Sequence, residues 1–87
     1  MDMKNQVAHK VKNVAVNIRR IREIKGYTQE YLAAKLKISQ NAYSKIELGY
    51  SKITLIRLYA IANILEIGAM FLLTEDYRKL ISSDFVS

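Results

Sequence analysis

TQEYLAAKLKISQNAYSKIELG, residues 28–49, is the stretch of the chain that decides the fold. Thr28 and Ser39 are residue types that cap helices, because a side-chain oxygen accepts a hydrogen bond from an N–H group of the first turn. They predict two short helices, over residues 28–36 and 40–48, and leave room only for a tight turn between them. Two short helices joined in this way form a helix-turn-helix arrangement.

The polar start of the second helix predicts contact with duplex DNA, because the second helix of such a pair enters the major groove. Gln40 and Asn41 carry amides that bind adenine through two hydrogen bonds. Ser44 and Lys45 follow one turn later on the same face, where Lys45 suits guanine or a phosphate. Gln29 opens the preceding helix and is placed to bind a phosphate. The alternative is an ordinary solvated surface, since amides are common near helix starts.

The flanking sequence predicts further helices and shows no β-alternation. Residues 5–25 carry an apolar stripe at steps of four and three residues, which is typical of a long amphipathic helix. Residues 55–65 and 69–73 predict a fourth and a fifth helix, and residues 74–87 a C-terminal tail or a short helix. The expected core side chains of the fourth helix are Leu55, Leu58, Ile61, Ala62 and Leu65. The fold class expected for residues 1–87 is all-α, a single five-helix domain with an extended first helix.

Positive charge is concentrated in the first part of the chain. The formal net charge is +6. Residues 1–52 hold eleven Lys and Arg against four Asp and Glu, whereas residues 53–87 hold three against four. This asymmetry favours a polyanion as the partner of the first part. The alternative is that the charge only keeps a small protein in solution.

The composition argues against a cofactor, a metal site and enzymatic activity. There is no cysteine and one histidine, His9, which leaves a zinc site short of ligands. The chain has no Ser-His-Asp set, no P-loop and no metal-ligand spacing, so we expect it not to be an enzyme. The longest apolar run, residues 67–73, is far shorter than the roughly 20 residues that span a bilayer. No signal-peptide pattern opens the sequence, and the expected location is the cytoplasm.

Four blocks of sequence are spaced as in a known family of helical domains. They are Ile18, Ile21 and Arg22 in the first helix, GYTQEYLA at 26–33, ISQNAYSKIELG at 38–49 and ITLIRLYAIANILEI at 53–67. Over residues 18–73 the chain resembles the lambda-repressor-type helix-turn-helix domain, also called the Cro/C1 or xenobiotic-response-element class. The resemblance implies a five-helix DNA-binding domain with the base-reading and phosphate-binding roles given above.

The resemblance also implies contacts that the residue types alone do not indicate. The loop after the recognition helix, at Tyr50, Ser51 and Lys52, would contact further phosphates. Arg22 and Glu47 match positions that form a partly buried ion pair in many members of the family. That pair would tie the first helix to the end of the recognition helix, so its role would be geometric.

Lys37 departs from the family's pattern, which usually places Gly at this position of the turn. If the backbone is left-handed there, a residue with a Cβ loses roughly 1–2 kcal/mol relative to a relaxed conformation. The departure removes none of the expected DNA contacts.

The fourth helix carries more apolar residues than one face can bury. Ile56, Ala60 and Ile64 recur at i, i+4 and i+8, roughly 140° from the core stripe. Together with Met70 and Leu73 they predict an exposed apolar patch, which usually marks association in a small protein. Because two-fold dimers are the commonest oligomers, we expect a homodimer.

Two functions remain open from the sequence. The first is a transcriptional regulator that binds double-stranded DNA specifically, with two recognition helices about 34 Å apart on a palindromic operator. The second is a protein-interaction module, such as an antitoxin or an adaptor, whose partner is a toxin or another regulator. A monomer would need the N-terminal extension, residues 7–14, to fold over the apolar patch.

Overall fold

Five helices make up the computed structural model, which describes residues 3–74. No strand occurs within that range, so the all-α prediction is confirmed there. The helices are α1 Met3–Ile24, α2 Gln29–Leu36, α3 Gln40–Glu47, α4 Leu55–Leu65 and α5 Ala69–Thr74. The tail or short helix predicted for residues 74–87 falls, from residue 75 onward, outside the described residues.

Three side-chain caps fix where the inner helices begin, and two of them, Thr28 and Ser39, are the caps that the sequence analysis predicts. Thr28 Oγ1 accepts a hydrogen bond from the Tyr31 N–H at 3.0 Å at the start of α2. Ser39 Oγ accepts one from the Ala42 N–H at 3.0 Å at the start of α3. Thr54 Oγ1 closes the first turn of α4 in the same way, with a length of 3.1 Å. Each cap satisfies one backbone donor that the helix itself leaves unpaired.

The turn between α2 and α3 depends on a left-handed residue. Lys37 has φ 60° and ψ 43°. This is the left-handed conformation, which glycine adopts more readily than other residues. Its N–H donates to the Ala34 carbonyl at 3.1 Å, and the next N–H, of Ile38, donates to the Ala33 carbonyl at 3.0 Å. These bonds end α2 and turn the chain sharply into α3.

The core lies between the α2–α3 pair, which packs against α1 and α4, and α5, which packs on α1 and α4. Its fully buried side chains include Ile18, Leu32, Tyr43, Ile61 and Leu72. The prediction for Leu55 is wrong, because this side chain is 66% exposed. Leu55 is the first residue of α4, and burial in that helix begins one turn later, at Leu58.

The N-terminal part of α1 projects from the bundle. Every residue from 3 to 12 is exposed, including Val7 and Val11 of the predicted apolar stripe. The buried part of α1 begins at Ala15. Because a helix rises about 1.5 Å per residue, the projecting segment is roughly 15 Å long.

A buried hydrogen bond joins α1 to α5. Asn17 lies in α1, and its Nδ2 donates to the Leu72 carbonyl of α5 at 2.9 Å. Asn17 lies on the face of the apolar stripe, three residues after Val14 and four before Ile21, but the sequence does not show which group a buried asparagine would bind. The bond fixes α5 against the middle of α1.

Candidate nucleic-acid interface

The recognition helix α3 has one buried face and one exposed face. Tyr43, Ile46 and Glu47 are buried against the rest of the bundle. The predicted base-reading residues lie away from them: Gln40, Asn41 and Lys45 are exposed, and Ser44 is partly exposed. The helix therefore presents two amides, a hydroxyl and an ammonium group at one surface, and these are hydrogen-bonding groups that base edges recognise.

A buried ion pair fixes the C-terminal end of α3 to α1. Arg22 Nε donates to Glu47 Oε2 at 2.6 Å, and Arg22 Nη2 donates to Glu47 Oε1 at 3.1 Å. The third nitrogen, Nη1, donates to the Tyr27 carbonyl at 2.7 Å. The hydrogen bond to Glu47 raises the pKa of the Arg22 guanidinium above its ordinary value. Two parallel bonds between planar groups set the angle as well as the distance between the two helices.

Gln29 belongs to the same cluster, which the sequence analysis did not foresee. Its Nε2 donates to Glu47 Oε1 at 3.0 Å. Since a carboxamide nitrogen carries two hydrogens, this bond leaves the second one available for a phosphate. The first residue of α2 is thereby attached to the last residue of α3, and the side chain predicted to bind phosphate is held in one orientation.

The buried face of α3 includes Tyr43. Its ring is fully buried, so it belongs to the core and is not accessible for stacking on a base. Burial raises the pKa of the Tyr43 hydroxyl above its ordinary value, and the neighbouring Glu47 carboxylate raises it further. The hydroxyl therefore stays neutral beside the ion pair.

The loop after α3 stays close to the recognition helix. The Tyr50 N–H donates to the Lys45 carbonyl at 3.0 Å, so the predicted phosphate-binding loop follows directly from the predicted base-reading face. Tyr50 and Lys52 are exposed, and Ser51 is partly exposed. Their side chains are accessible to the sugar-phosphate backbone of a duplex that lies against the start of α4.

Arg57 is a further candidate that the sequence analysis passed over. It shares a depression of about 240 Å³ with Ser51, Lys52 and Thr54 of the loop and with Ala42 of α3. The depression has no acidic residue in its lining. The sequence shows that Arg57 is a basic residue in the first turn of α4, but only the fold shows that it lies beside the loop.

The structure divides the predicted dimer surface between two places. Ile56, Ala60 and Ile64 line one depression beside the end of α2, and Ile56 is 84% exposed. Leu73 lines a different depression, which is formed with α1 and α4. Met70 is exposed on α5. The patch predicted from helical spacing is thus not one depression in the folded chain.

The N-terminal extension does not cover Ile56. Val11 and Val14 of α1 instead line the depression that contains Leu73, together with Ile53 and Leu58. Among the described residues, no group of three or more His, Cys, Asp or Glu is placed to hold a metal ion. None of the helices within residues 3–74 is long and apolar enough to cross a membrane.

Comparison with known protein families matches residues 18–72 to a helix-turn-helix family. The match covers well over half of the chain, from Ile18 in α1 to Leu72 in α5, and includes α2, α3 and α4 in full. The chain therefore belongs to the Cro/C1-type, lambda-repressor-like helix-turn-helix family, whose members are DNA-binding regulators. Searches of curated proteins and of solved structures gave no significant match.

Proposed function

We propose that the chain is a transcriptional regulator of the cytoplasm that binds double-stranded DNA in a sequence-specific way. The observation that carries this proposal is the exposed polar face of α3, supported from below by the cluster of Arg22, Glu47 and Gln29. Base reading needs donors and acceptors held at a fixed angle in the groove. A buried bidentate pair supplies that angle, whereas an ordinary solvated helix face would need no such support.

Each contacting residue has a role in this proposal. Gln40 and Asn41 read adenine edges, and Lys45 binds guanine or a phosphate, with Ser44 beside them. Gln29 binds the phosphate that lies at the N-terminus of α2. The loop residues Tyr50, Ser51 and Lys52 bind phosphates on the other side of the recognition helix.

We also propose that the regulator acts as a homodimer on a palindromic operator. The exposed Ile56 supports this, because an apolar side chain of that size in water favours association. A two-fold dimer would set its recognition helices one turn of DNA apart, about 34 Å. Ala60 and Ile64 extend the apolar surface along α4.

Selection from a pool of random duplexes at physiological salt tests the specific reading. Recovery of one inverted repeat supports a dimeric reader, and the spacing of its halves reports the dimer geometry. Recovery of no motif would contradict the proposal. The remaining interpretation would then be a protein-interaction module, whose partner is a toxin or another regulator and whose DNA affinity is non-specific.

Gln40→Ala then tests the base-reading role on the selected duplex. The variant should bind that duplex about 1–3 kcal/mol more weakly and should bind random DNA nearly as well as the wild type. Asn5→Ala is the matched control, since it removes an exposed amide from the far end of α1. The readout is the ratio of the two affinities, and an equal loss on both duplexes would remove Gln40 from the reading face.

A further inference from the structure

The projecting segment of α1, residues 3–12, lies outside the part of the chain that defines the family. The family match begins at residue 18, and every residue from 3 to 12 is exposed. The segment therefore contributes little to the core that the family's motifs build. Its length of roughly 15 Å is close to half a turn of duplex DNA, which repeats about every 34 Å.

The charge of α1 has one sign over most of its length. From residue 3 to residue 22 there is no Asp or Glu, and the first acidic residue in the helix is Glu23. The basic residues of this stretch are Lys4, Lys10, Lys12, Arg19, Arg20 and Arg22. Two copies of such a segment would repel each other, so the charge favours a polyanion over a second copy of the chain.

The projecting segment begins beside the loop proposed to bind phosphates. Val11 and Val14 line the same depression as Lys52 and Ile53. Lys10 and Lys12 flank Val11 in the sequence, and both are exposed. Lys52 of the loop therefore lies beside the level of α1 at which Lys10 and Lys12 occur.

We propose that the projecting segment is a second contact with the DNA backbone, in which Lys10 and Lys12 pair with phosphates beyond those reached by Lys52. This inference rests on the proposed DNA-binding function, but it does not depend on base reading. Each lysine that neutralises a phosphate releases condensed counterions, so the contact is measured by the salt dependence of binding. The segment adds affinity for any sequence and leaves sequence specificity to α3.

The test compares the wild type with Lys10→Gln/Lys12→Gln on a random duplex of about 40 base pairs. Fluorescence anisotropy from 50 to 200 mM salt gives the slope of log K against log salt. The variant's slope should be smaller by about 0.9 for each lysine. For the two lysines of one protomer, the wild type should lose roughly 12-fold more affinity than the variant over this range, and for the four lysines of the proposed dimer roughly 150-fold more.

Two further variants separate a local contact from an effect of net charge. Lys25→Gln removes one charge from an exposed residue that lines neither the depression of Lys52 nor that of Ile56, and it should leave the slope unchanged. Lys10→Arg/Lys12→Arg keeps the charge and should keep the wild-type slope. Helical circular dichroism of all variants confirms that the exposed substitutions leave the fold intact.

The outcomes distinguish this inference from the function on which it rests. Wild-type DNA binding with an unchanged slope in Lys10→Gln/Lys12→Gln would overturn the α1 contact alone. An equal reduction per lysine in Lys25→Gln would also overturn it, since net charge would then explain both. Absence of any duplex binding by the wild type would overturn the proposed function as well.

Discussion

Glu47→Gln removes the negative charge from the ion pair that supports the recognition helix while keeping the size of the side chain. In the wild type, Glu47 accepts from two nitrogens of Arg22, at 2.6 and 3.1 Å, and from Gln29 at 3.0 Å. The new amide offers one oxygen in place of two, and its NH₂ group faces the guanidinium, which is also a donor. Arg22 is then a buried cation without a counter-charge.

The burial of the pair sets the size of the effect. The side chain of Arg22 is 10% exposed and that of Glu47 is 1% exposed. Removing one partner of a buried pair costs about 3–5 kcal/mol, because the remaining charge stays desolvated. A domain of 87 residues has about 4–13 kcal/mol of stability at 0.05–0.15 kcal/mol per residue. The substitution should therefore remove a large part of the free energy of unfolding.

Urea denaturation of the variant measures this loss, and an exposed pair in the same helix supplies the control. Arg19 Nε and Glu23 Oε2 lie 3.5 Å apart, with side chains 54% and 40% exposed. Glu23→Gln should cost less than about 1 kcal/mol, because water screens exposed pairs. A similarly small loss for Glu47→Gln would refute the reasoning, since the Arg22–Glu47 pair would then be solvated rather than buried.

Three other changes test further features of the structure. Lys37→Gly should raise the free energy of unfolding in urea by about 1 kcal/mol, because glycine adopts the positive φ without a Cβ clash; a lower value would contradict this. Burial raises the pKa of Tyr43 in the folded protein, so above the ordinary tyrosine pKa of about 10 the unfolded chain loses this proton first. The contribution of Tyr43 to the free energy of unfolding should therefore be complete below about pH 10 and fall by up to 1.4 kcal/mol per pH unit above it. Tyr43→Phe should not show this decrease. If the difference in free energy of unfolding between the wild type and Tyr43→Phe stayed constant from about pH 9 to pH 11, the raised pKa of Tyr43 would be excluded. Ile56→Asp/Ile64→Asp should give a folded monomer with weak operator binding, and a dimer in sedimentation would rule out this interface.

Local signals in the sequence predict the helices well. A cap residue acts on its own first turn, so Thr28, Ser39 and Thr54 mark helix starts that the structure reproduces. The left-handed turn at Lys37 also follows from position, because α2 and α3 are too close in sequence for a gentler connection. These features depend on interactions within a few residues, which a linear sequence displays directly.

Contacts between distant residues explain what the sequence alone leaves open. Leu55 has the spacing of a core residue, but it precedes the turns of α4 that meet other helices. Gln29 was expected to bind phosphate alone, yet it also binds Glu47 across 18 residues. Ile56 and Leu73 share an apolar character but line separate depressions, since helical spacing within α4 carries no information about where α5 lies.

The hydrogen bond from Asn17 to the Leu72 carbonyl joins residues 55 positions apart. α5 has only six residues, and a helix that short would ordinarily fray on its own. If it detached, Nδ2 of Asn17 would lose this partner in an apolar setting, at a cost of roughly 1–3 kcal/mol. The backbone amides of α5 should therefore exchange with solvent deuterium only when the whole bundle opens. Among the described helices, the shortest thus shares one cooperative unit with the buried part of the longest.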